Sequence, residues 1–157
     1  MAKLLAHKML GLAIAYYTLR PTTFVQAVAY GGLALIGSVI PDLDGLHRHR
    51  MTLHNMFSCL ITTAIVYTIL LVVNQYRLLP ISIDVIGSAM AYLLAYLSHL
   101  VADIPTGHGV ALLYPVSRRR LSILGLRYDS IVYNGLLVAL ATWLLYSYFT
   151  SVATAPF

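Results

Sequence analysis

The stretch IDVIGSAMAYLLAYLSHLVAD, residues 83–103, is a continuous apolar run that closes with a histidine and an aspartate. A run of about 20 apolar residues is long enough to cross a bilayer as an α-helix. His99 and Asp103 are four residues apart, so they project from one face of such a helix and can bind one metal ion together. The alternative is a His–Asp hydrogen bond that ties the end of the helix.

The composition of the whole chain is that of a membrane protein. Hydrophobic residues make up 60% of the 157 residues and charged residues 10%, and the mean hydropathy is +0.82. These values exclude a soluble domain with a wetted surface. Apolar runs predict helices at residues 4–19, 24–40, 54–73, 83–102 and 131–149. We therefore predict an all-α integral membrane bundle of four to five helices, formed as one domain by residues 1–157.

The first apolar run is short for a membrane span, and it contains His7 and Lys8. Four full spans with a shorter N-terminal helix is therefore an equal alternative to five spans. Asp84 lies at the start of the fourth predicted helix and Asp129 just before the fifth, where aspartate commonly stabilises the N-terminal end. Cys59 is the single cysteine, which excludes an intramolecular disulfide and predicts a buried structural thiol.

Basic residues are concentrated on one predicted side of the membrane. If the first run spans, the N-terminus and the two long polar loops at residues 41–53 and 103–129 share that side. The opposite side has only Arg20 and Arg77. The positive-inside rule then places the N-terminus and both loops in the cytoplasm of a cell-membrane protein. The cytoplasmic basic residues are Lys3, Arg48, Arg50, Arg118, Arg119, Arg120 and Arg127.

This topology brings histidines and aspartates from four parts of the chain to one membrane face. An ionisable side chain at membrane depth costs roughly 2.5 to 3.5 kcal/mol, so it is normally paired, hydrated or bound to a metal. Imidazole and carboxylate groups suit a divalent ion such as zinc. An aspartate after a helix end can also serve only as a turn residue, and that alternative applies to both aspartates of the 41–44 segment. The candidate metal ligands are His7, Asp42, Asp44, His54, His99 and Asp103.

Other residues of the same loops are candidates for substrate binding and proton transfer. Arg50 can clamp a phosphate or carboxylate through two parallel hydrogen bonds. His49 and His108 are candidates to protonate a leaving group, and His108 could equally be a ligand or an ordinary loop residue. The formal charge of +5 favours anionic membrane lipids or a phosphate-bearing substrate. We expect no nucleic acid partner, and the sequence specifies no oligomeric state.

Several motifs together resemble the YdjM-like family of membrane-bound metal-dependent hydrolases. They are an early histidine, Pro-Asp-x-Asp at 41–44, His49-Arg50 followed by His54, Ser-His-x3-Asp at 98–103, and a Thr, Gly, Leu and Pro pattern at 106–115. The match extends in order over most of the chain. The chain departs from the family pattern by having Met51, Leu53 and Asn55 at Gly, Thr and Ser positions. These residues change the hydrogen bonds that are available around the site.

A more distant similarity is to the zinc-dependent phospholipase C and single-strand nuclease superfamily. This similarity implies one or two zinc ions, with Asp103 able to bridge the two ions and His7 as a ligand of the second ion. We therefore expect a hydrolase that acts on a phosphate ester or a phospholipid headgroup through metal-activated water. A non-catalytic scaffold with a structural metal site is the alternative. A cation or proton transporter is disfavoured, because it needs polar residues through the midplane and the middles of the second, third and fifth predicted helices are almost wholly apolar.

Overall fold

The computed structural model describes residues 2–46 and 51–154, with side chains described for residues 4–43 and 51–154. The regular elements within these ranges are helices, which confirms the all-α prediction. A 3₁₀ segment at Ile40–Leu46 follows the second helix. The helices are α1 (Ala2–Leu19), α2 (Phe24–Val39), α3 (Met56–Gln75), α4 (Val85–Asp103) and α5 (Ile131–Ala153).

Polar side chains set the starts of four helices. The oxygen of Thr23 accepts the backbone N–H of Gln26, and the Gln26 side chain returns a bond to the Thr23 backbone. Asp84 caps α4 as predicted, through a 3.0 Å bond from Gly87 N–H. Ser130 caps α5, and Asp129 lies one residue before that cap.

The second and third helices differ in their ends from the prediction, for local reasons. Pro41 interrupts α2, and the chain continues as a 3₁₀ turn through Asp42 instead of an irregular loop. His54 lies in the turn before α3, because Asn55 takes the N-cap position with its side-chain oxygen 2.8 Å from Ser58 N–H. Both changes leave the ionisable side chains at helix ends.

Four helical segments of the described chain are long and apolar enough to cross a membrane. They are Phe24–Leu43, Met56–Gln75, Val85–Asp103 and Ile131–Ala153. The apolar part of α1, Leu4–Leu19, is shorter. This outcome falls within the predicted four to five helices and matches the alternative of four spans with one shorter helix.

Helix α4 is the central element of the bundle, since it packs against α1, α2 and α3. Its buried residues include Tyr92, Tyr96 and His99. Helix α1 also contacts α5, so α3 and α5 lie on the outside. In α3 the buried residue is Cys59, and the rest of that helix presents apolar side chains outward. Such outer faces suit lipid contact, because lipid tails are as apolar as leucine.

Small residues let α1, α2 and α4 approach closely. A Cβ added to Gly11 of α1 would lie 3.0 Å from Cβ of Ala95 and 3.1 Å from Cβ of Ser38. A Cβ on Gly37 of α2 would collide with the carbonyl oxygen of Tyr92 and lie 3.2 Å from its Cα. Close backbone approach through small residues is a common way for membrane helices to associate. It places the C-terminal halves of α2 and α4 side by side.

The connection at residues 104–130 packs onto the end of the bundle where α4 finishes. Val110 is fully buried, and its N–H and C=O pair with the backbone of Leu121 at 3.0 and 2.8 Å. Met56 N–H, at the start of α3, donates to the carbonyl of Leu112 at 3.0 Å. The loop therefore covers the same end as the histidines and aspartates. At the opposite end the Tyr148 hydroxyl donates to the carbonyl of Pro21 at 2.9 Å.

We expect Gly37→Ala to destabilise the bundle, because the added methyl group must push α2 away from the backbone of α4. A small-to-large change in a close-packed contact costs about 1–3 kcal/mol. Gly32→Ala in the same helix is the matched control, since a Cβ there meets nothing within 4 Å. Thermal unfolding in detergent should show a lower midpoint for Gly37→Ala only. Equal midpoints for the two variants would contradict the close approach.

Candidate metal centre

His99 is fixed by a hydrogen bond across two membrane helices. Its Nδ1 lies 2.7 Å from the carbonyl oxygen of Ser38, and the imidazole is fully buried. Because a carbonyl oxygen only accepts, Nδ1 carries the proton and Nε2 of the neutral ring keeps its lone pair. That Nε2 has no hydrogen-bond partner among the described residues. The arrangement is the usual one for a histidine that binds a metal through the other nitrogen.

Asp103 lies at the centre of three imidazoles. Its Oδ1 is 3.4 Å from Nε2 of His7, and its Oδ2 is 3.4 Å from Nε2 of His54 and 3.6 Å from Nε2 of His99. The rings also touch one another, with His7 stacked on His99 at a centroid distance of 4.2 Å. Residues from α1, from the turn before α3 and from α4 therefore meet at one point.

Asp42 extends this cluster from the 3₁₀ segment. Its Oδ1 lies 3.7 Å from Nε2 of His99. Two sets of side chains each offer ligand atoms within 4.8 Å of one another. The sets are His7, His99 and Asp103, and Asp42, His54 and His99. Five of the six predicted metal ligands are thus brought together, and we call these five residues the His–Asp cluster.

The spacing in the His–Asp cluster fits a bound divalent ion. Zinc bonds to histidine nitrogen and carboxylate oxygen are about 2.0–2.2 Å long, which separates two ligands of a tetrahedral ion by about 3.3 Å. The nitrogen–oxygen distances of 3.4–3.7 Å are close to that separation. They are longer than ordinary N–H···O hydrogen bonds. Burial of a carboxylate also requires compensating charge or hydrogen bonds, and a divalent ion would supply positive charge.

Asn55 holds the turn that carries His54. Its amide Nδ2 donates to the carbonyls of Met51 at 2.7 Å and Thr52 at 2.8 Å, while its Oδ1 accepts Ser58 N–H. Asn55 is one of the positions where the sequence departs from the family pattern. A serine there could not donate to two carbonyls and cap α3 at once. The departure therefore adds hydrogen bonds beside the cluster.

Two tyrosines complete the support around the cluster. The Tyr96 hydroxyl donates to the carbonyl of Leu53, next to His54. The Tyr133 hydroxyl donates to the carbonyl of Ala102, next to Asp103, at 2.6 Å. Each bond connects a different helix to the backbone beside a candidate ligand, and such outer contacts orient metal ligands.

The sequence analysis did not identify Ser38, Tyr96 or Tyr133 as parts of the site. Ser38 contributes its backbone carbonyl, and the hydroxyls of Tyr96 and Tyr133 donate to backbone carbonyls. Every residue has such a carbonyl, so residue type gives no signal of these contacts. The small pair Gly37-Ser38 is the one sequence feature that could have indicated a close helix contact there.

Four predicted site residues are not placed in the cluster. The side chain of Asp44, and His49 and Arg50 entirely, lie outside the described residues. His108 is exposed on the 104–130 loop, where its ring packs against Tyr128 at a centroid distance of 5.1 Å. It lines a cavity of about 330 Å³ in that loop. The structure therefore places His108 apart from the five clustered side chains.

The three predicted loop arginines are exposed on the same side of the bundle as the cluster. Arg118, Arg119 and Arg120 follow the cis peptide bond between Tyr114 and Pro115. The Nη1 of Arg120 donates to the carbonyl of His108 at 3.4 Å. Arg127 pairs with Asp129 at 3.1 Å, and this pairing lowers the pKa of the Asp129 carboxyl. The unpaired guanidinium charges of this loop are available to anions.

Comparison with known proteins gives one match. A family model described as YdjM inner membrane protein matches residues 1–156. No curated protein and no solved structure matches the chain. The matched range includes every member of the His–Asp cluster.

We expect Asn55→Ala to disturb His54, since the turn loses the two carbonyl bonds and α3 loses its cap. The change should destabilise the protein by about 1–3 kcal/mol. Asn74→Ala is the matched control, because Asn74 makes two similar bonds with Ile83 at the opposite end. Both variants should lower the unfolding temperature, but only Asn55→Ala should shift the His54 resonances in NMR of histidine-labelled protein. Shifts in both variants would contradict the positioning role.

Proposed function

The chain belongs to the YdjM inner membrane protein family, and we propose that it is a membrane-embedded metal-dependent hydrolase of phosphate esters, with phospholipid headgroups as its substrates. The supporting observation is the convergence of three imidazoles and two carboxylates in one mostly buried cluster at one end of the bundle. Ionisable groups buried in membrane helices commonly mark functional sites. The apolar helices agree with a membrane-associated substrate.

The ligand geometry favours one ion at His99. Only Nε2 of this ring is free to ligate, because Nδ1 is committed to the Ser38 carbonyl. His99 belongs to both candidate ligand sets, so the two sets describe overlapping positions. A second ion would have to share Asp103, whose Oδ1 faces His7 and whose Oδ2 faces His54. Nitrogen and carboxylate ligands together favour zinc.

The residues of the chain would divide the reaction between them. A bound divalent ion supplies Lewis acidity and a water-derived nucleophile at neutral pH. The imidazoles of His7, His54 and His99 and the carboxylate of Asp103 are buried away from water, so charges at the site act more strongly than they would in water. The arginines of the 104–130 loop attract the phosphate, and Arg50 clamps it. His49 would donate the proton to the leaving group, because His108 lies apart from the cluster.

We place the cluster on the cytoplasmic side of the inner membrane. The basis is the charge distribution, since the loop with Arg118, Arg119 and Arg120 is on the cluster side while Arg20 and Arg77 are at the opposite end. Positively charged loops are retained in the cytoplasm. Substrate would then come from the inner leaflet.

A structural metal site in a non-catalytic scaffold is the second candidate. The observation in its favour is burial, since the side chains of His7, His54, His99 and Asp103 are each at most 7% exposed. Four protein ligands close the shell of a structural zinc site, whereas a catalytic site keeps one position open. Asp42 is 28% exposed and offers the open side that catalysis needs.

We expect purified protein to contain stoichiometric zinc or another divalent ion that both His99→Ala and Asp103→Ala remove. Asp103 takes part in three of the four contacts of the cluster, and His99 takes part in two. The matched controls are His108→Ala and Asp129→Ala, which delete an exposed histidine and an exposed aspartate. Elemental mass spectrometry of detergent-purified protein provides the measurement. Absence of metal even after zinc supplementation would rule out the proposed mechanism.

Activity then separates the two candidates. The metal-loaded protein should release phosphate or a headgroup from a panel of phosphate esters and phospholipids, and chelation should abolish that release. Protein that keeps its metal and is inactive on the whole panel would instead favour the structural scaffold.

A further inference from the structure

We propose that a groove between α1 and α2, next to Lys8, holds an acyl chain of a phosphate-bearing membrane lipid whose phosphate pairs with the Lys8 ammonium. The groove would deliver such a lipid sideways from the bilayer to the His–Asp cluster. The delivery role rests on the proposed function, whereas lipid binding itself does not depend on the reaction.

The groove is an apolar cavity of about 340 Å³. Its other lining residues, Leu35, Ile36, Val39 and Ile40, come from α2 and the start of the 3₁₀ segment. Leu35 and Ile36 are 40% and 49% exposed, so the groove opens to the outside of the bundle. In a candidate membrane-spanning segment, that outside is the lipid phase. A hydrocarbon chain is the ligand that this lining fits.

Lys8 places a positive charge beside an otherwise apolar groove, and this charge needs a negative partner. It is half-buried in α1, and no described residue forms an ion pair with it. An ammonium group at membrane depth is normally paired, or else reaches the interface along its flexible stem. A lipid phosphate at the interface supplies the missing negative charge, and the stem can lie along the groove.

Residues that line the groove are close in the chain to two members of the His–Asp cluster. Lys8 follows His7 in the chain, and Val39 and Ile40 come just before Pro41 and Asp42. Asp42 is 28% exposed, while His7 is 1% exposed. The most open member of the cluster is therefore adjacent in sequence to the groove lining. A lipid with its chain in the groove and its phosphate at Lys8 would place its headgroup beside that opening.

A second groove provides an internal comparison. It lies on α3, has a volume of about 390 Å³ and is lined by Ile61, Ala64, Ile65, Thr68 and Ile69. No basic residue lines it. If apolar shape alone retained lipid, the two grooves would behave alike. A requirement for the Lys8 charge predicts that only the α1–α2 groove selects a phosphate.

The experiment uses native mass spectrometry of the full-length protein in detergent. The probes are dioleoyl phosphatidic acid, dioleoylglycerol, which has the same chains without phosphate, and glycerol 3-phosphate, which has the phosphate without chains. The variants are Lys8→Gln, Lys8→Arg, Ile36→Trp to fill the α1–α2 groove, and Ile65→Trp as the matched control in the α3 groove. Ile36 and Ile65 are similarly exposed, at 49% and 52%. Zinc content is measured on each sample.

We expect retention of phosphatidic acid alone among the three probes. Lys8→Gln should lower it by about fivefold, the effect of one lysine on an anionic headgroup, and Lys8→Arg should restore it. Ile36→Trp should lower it as well, and Ile65→Trp should not. Equal retention of dioleoylglycerol, retention unchanged in Lys8→Gln, or equal loss in both tryptophan variants would overturn the proposal.

Metal content keeps this proposal separable from the proposed function. Zinc retained in Lys8→Gln together with lost lipid binding assigns the defect to the groove. Lys8-dependent lipid binding in a protein without metal would preserve the groove and refute the hydrolase. Lipid selection that fails in a zinc-loaded protein would refute the groove and leave the metal centre intact.

Discussion

The hydrogen bond from His99 to the Ser38 carbonyl is the contact on which the His–Asp cluster depends. It joins the C-terminal parts of α4 and α2 at 2.7 Å and turns the second ring nitrogen toward Asp42 and Asp103. The bond is possible only because Gly37 and Ser38 allow α2 to lie against α4. Loss of that approach would separate residues from two of the four segments that form the cluster.

The apolar outer helices give this polar cluster its setting. Helices α3 and α5 present large hydrophobic side chains outward, which a bilayer tolerates and water would not. The same setting makes a carboxylate such as Asp103 costly to bury, so the imidazoles around it require a chemical explanation. The divalent ion that we propose would bind the imidazoles and the carboxylates together. Asp42 is the most exposed member of the cluster, and it follows the groove residues Val39 and Ile40 in the chain.

Differences between prediction and structure come from local chemistry at helix ends. Asn55 caps α3 and leaves His54 in a turn, and Ser130 caps α5 directly after Asp129. Asp129 and Ser130 are both good N-cap residues, so residue preference alone does not select between these two neighbours. His108 illustrates a different limit. Its motif position is close to the cluster residues in the chain, but the loop carries it outward to Tyr128.

The amino-acid sequence by itself determined the membrane class, the positions of the helices and the identity of the candidate ligands. These follow from apolar length and from the cost of placing histidine and aspartate at helix ends, both of which are local properties. Only the tertiary structure decided which ligands meet, which nitrogen of His99 faces them, and that Lys8 borders a groove rather than the cluster. Those features depend on helix rotation and close approach, and contacts such as the Ser38 carbonyl bond have no residue-type signature.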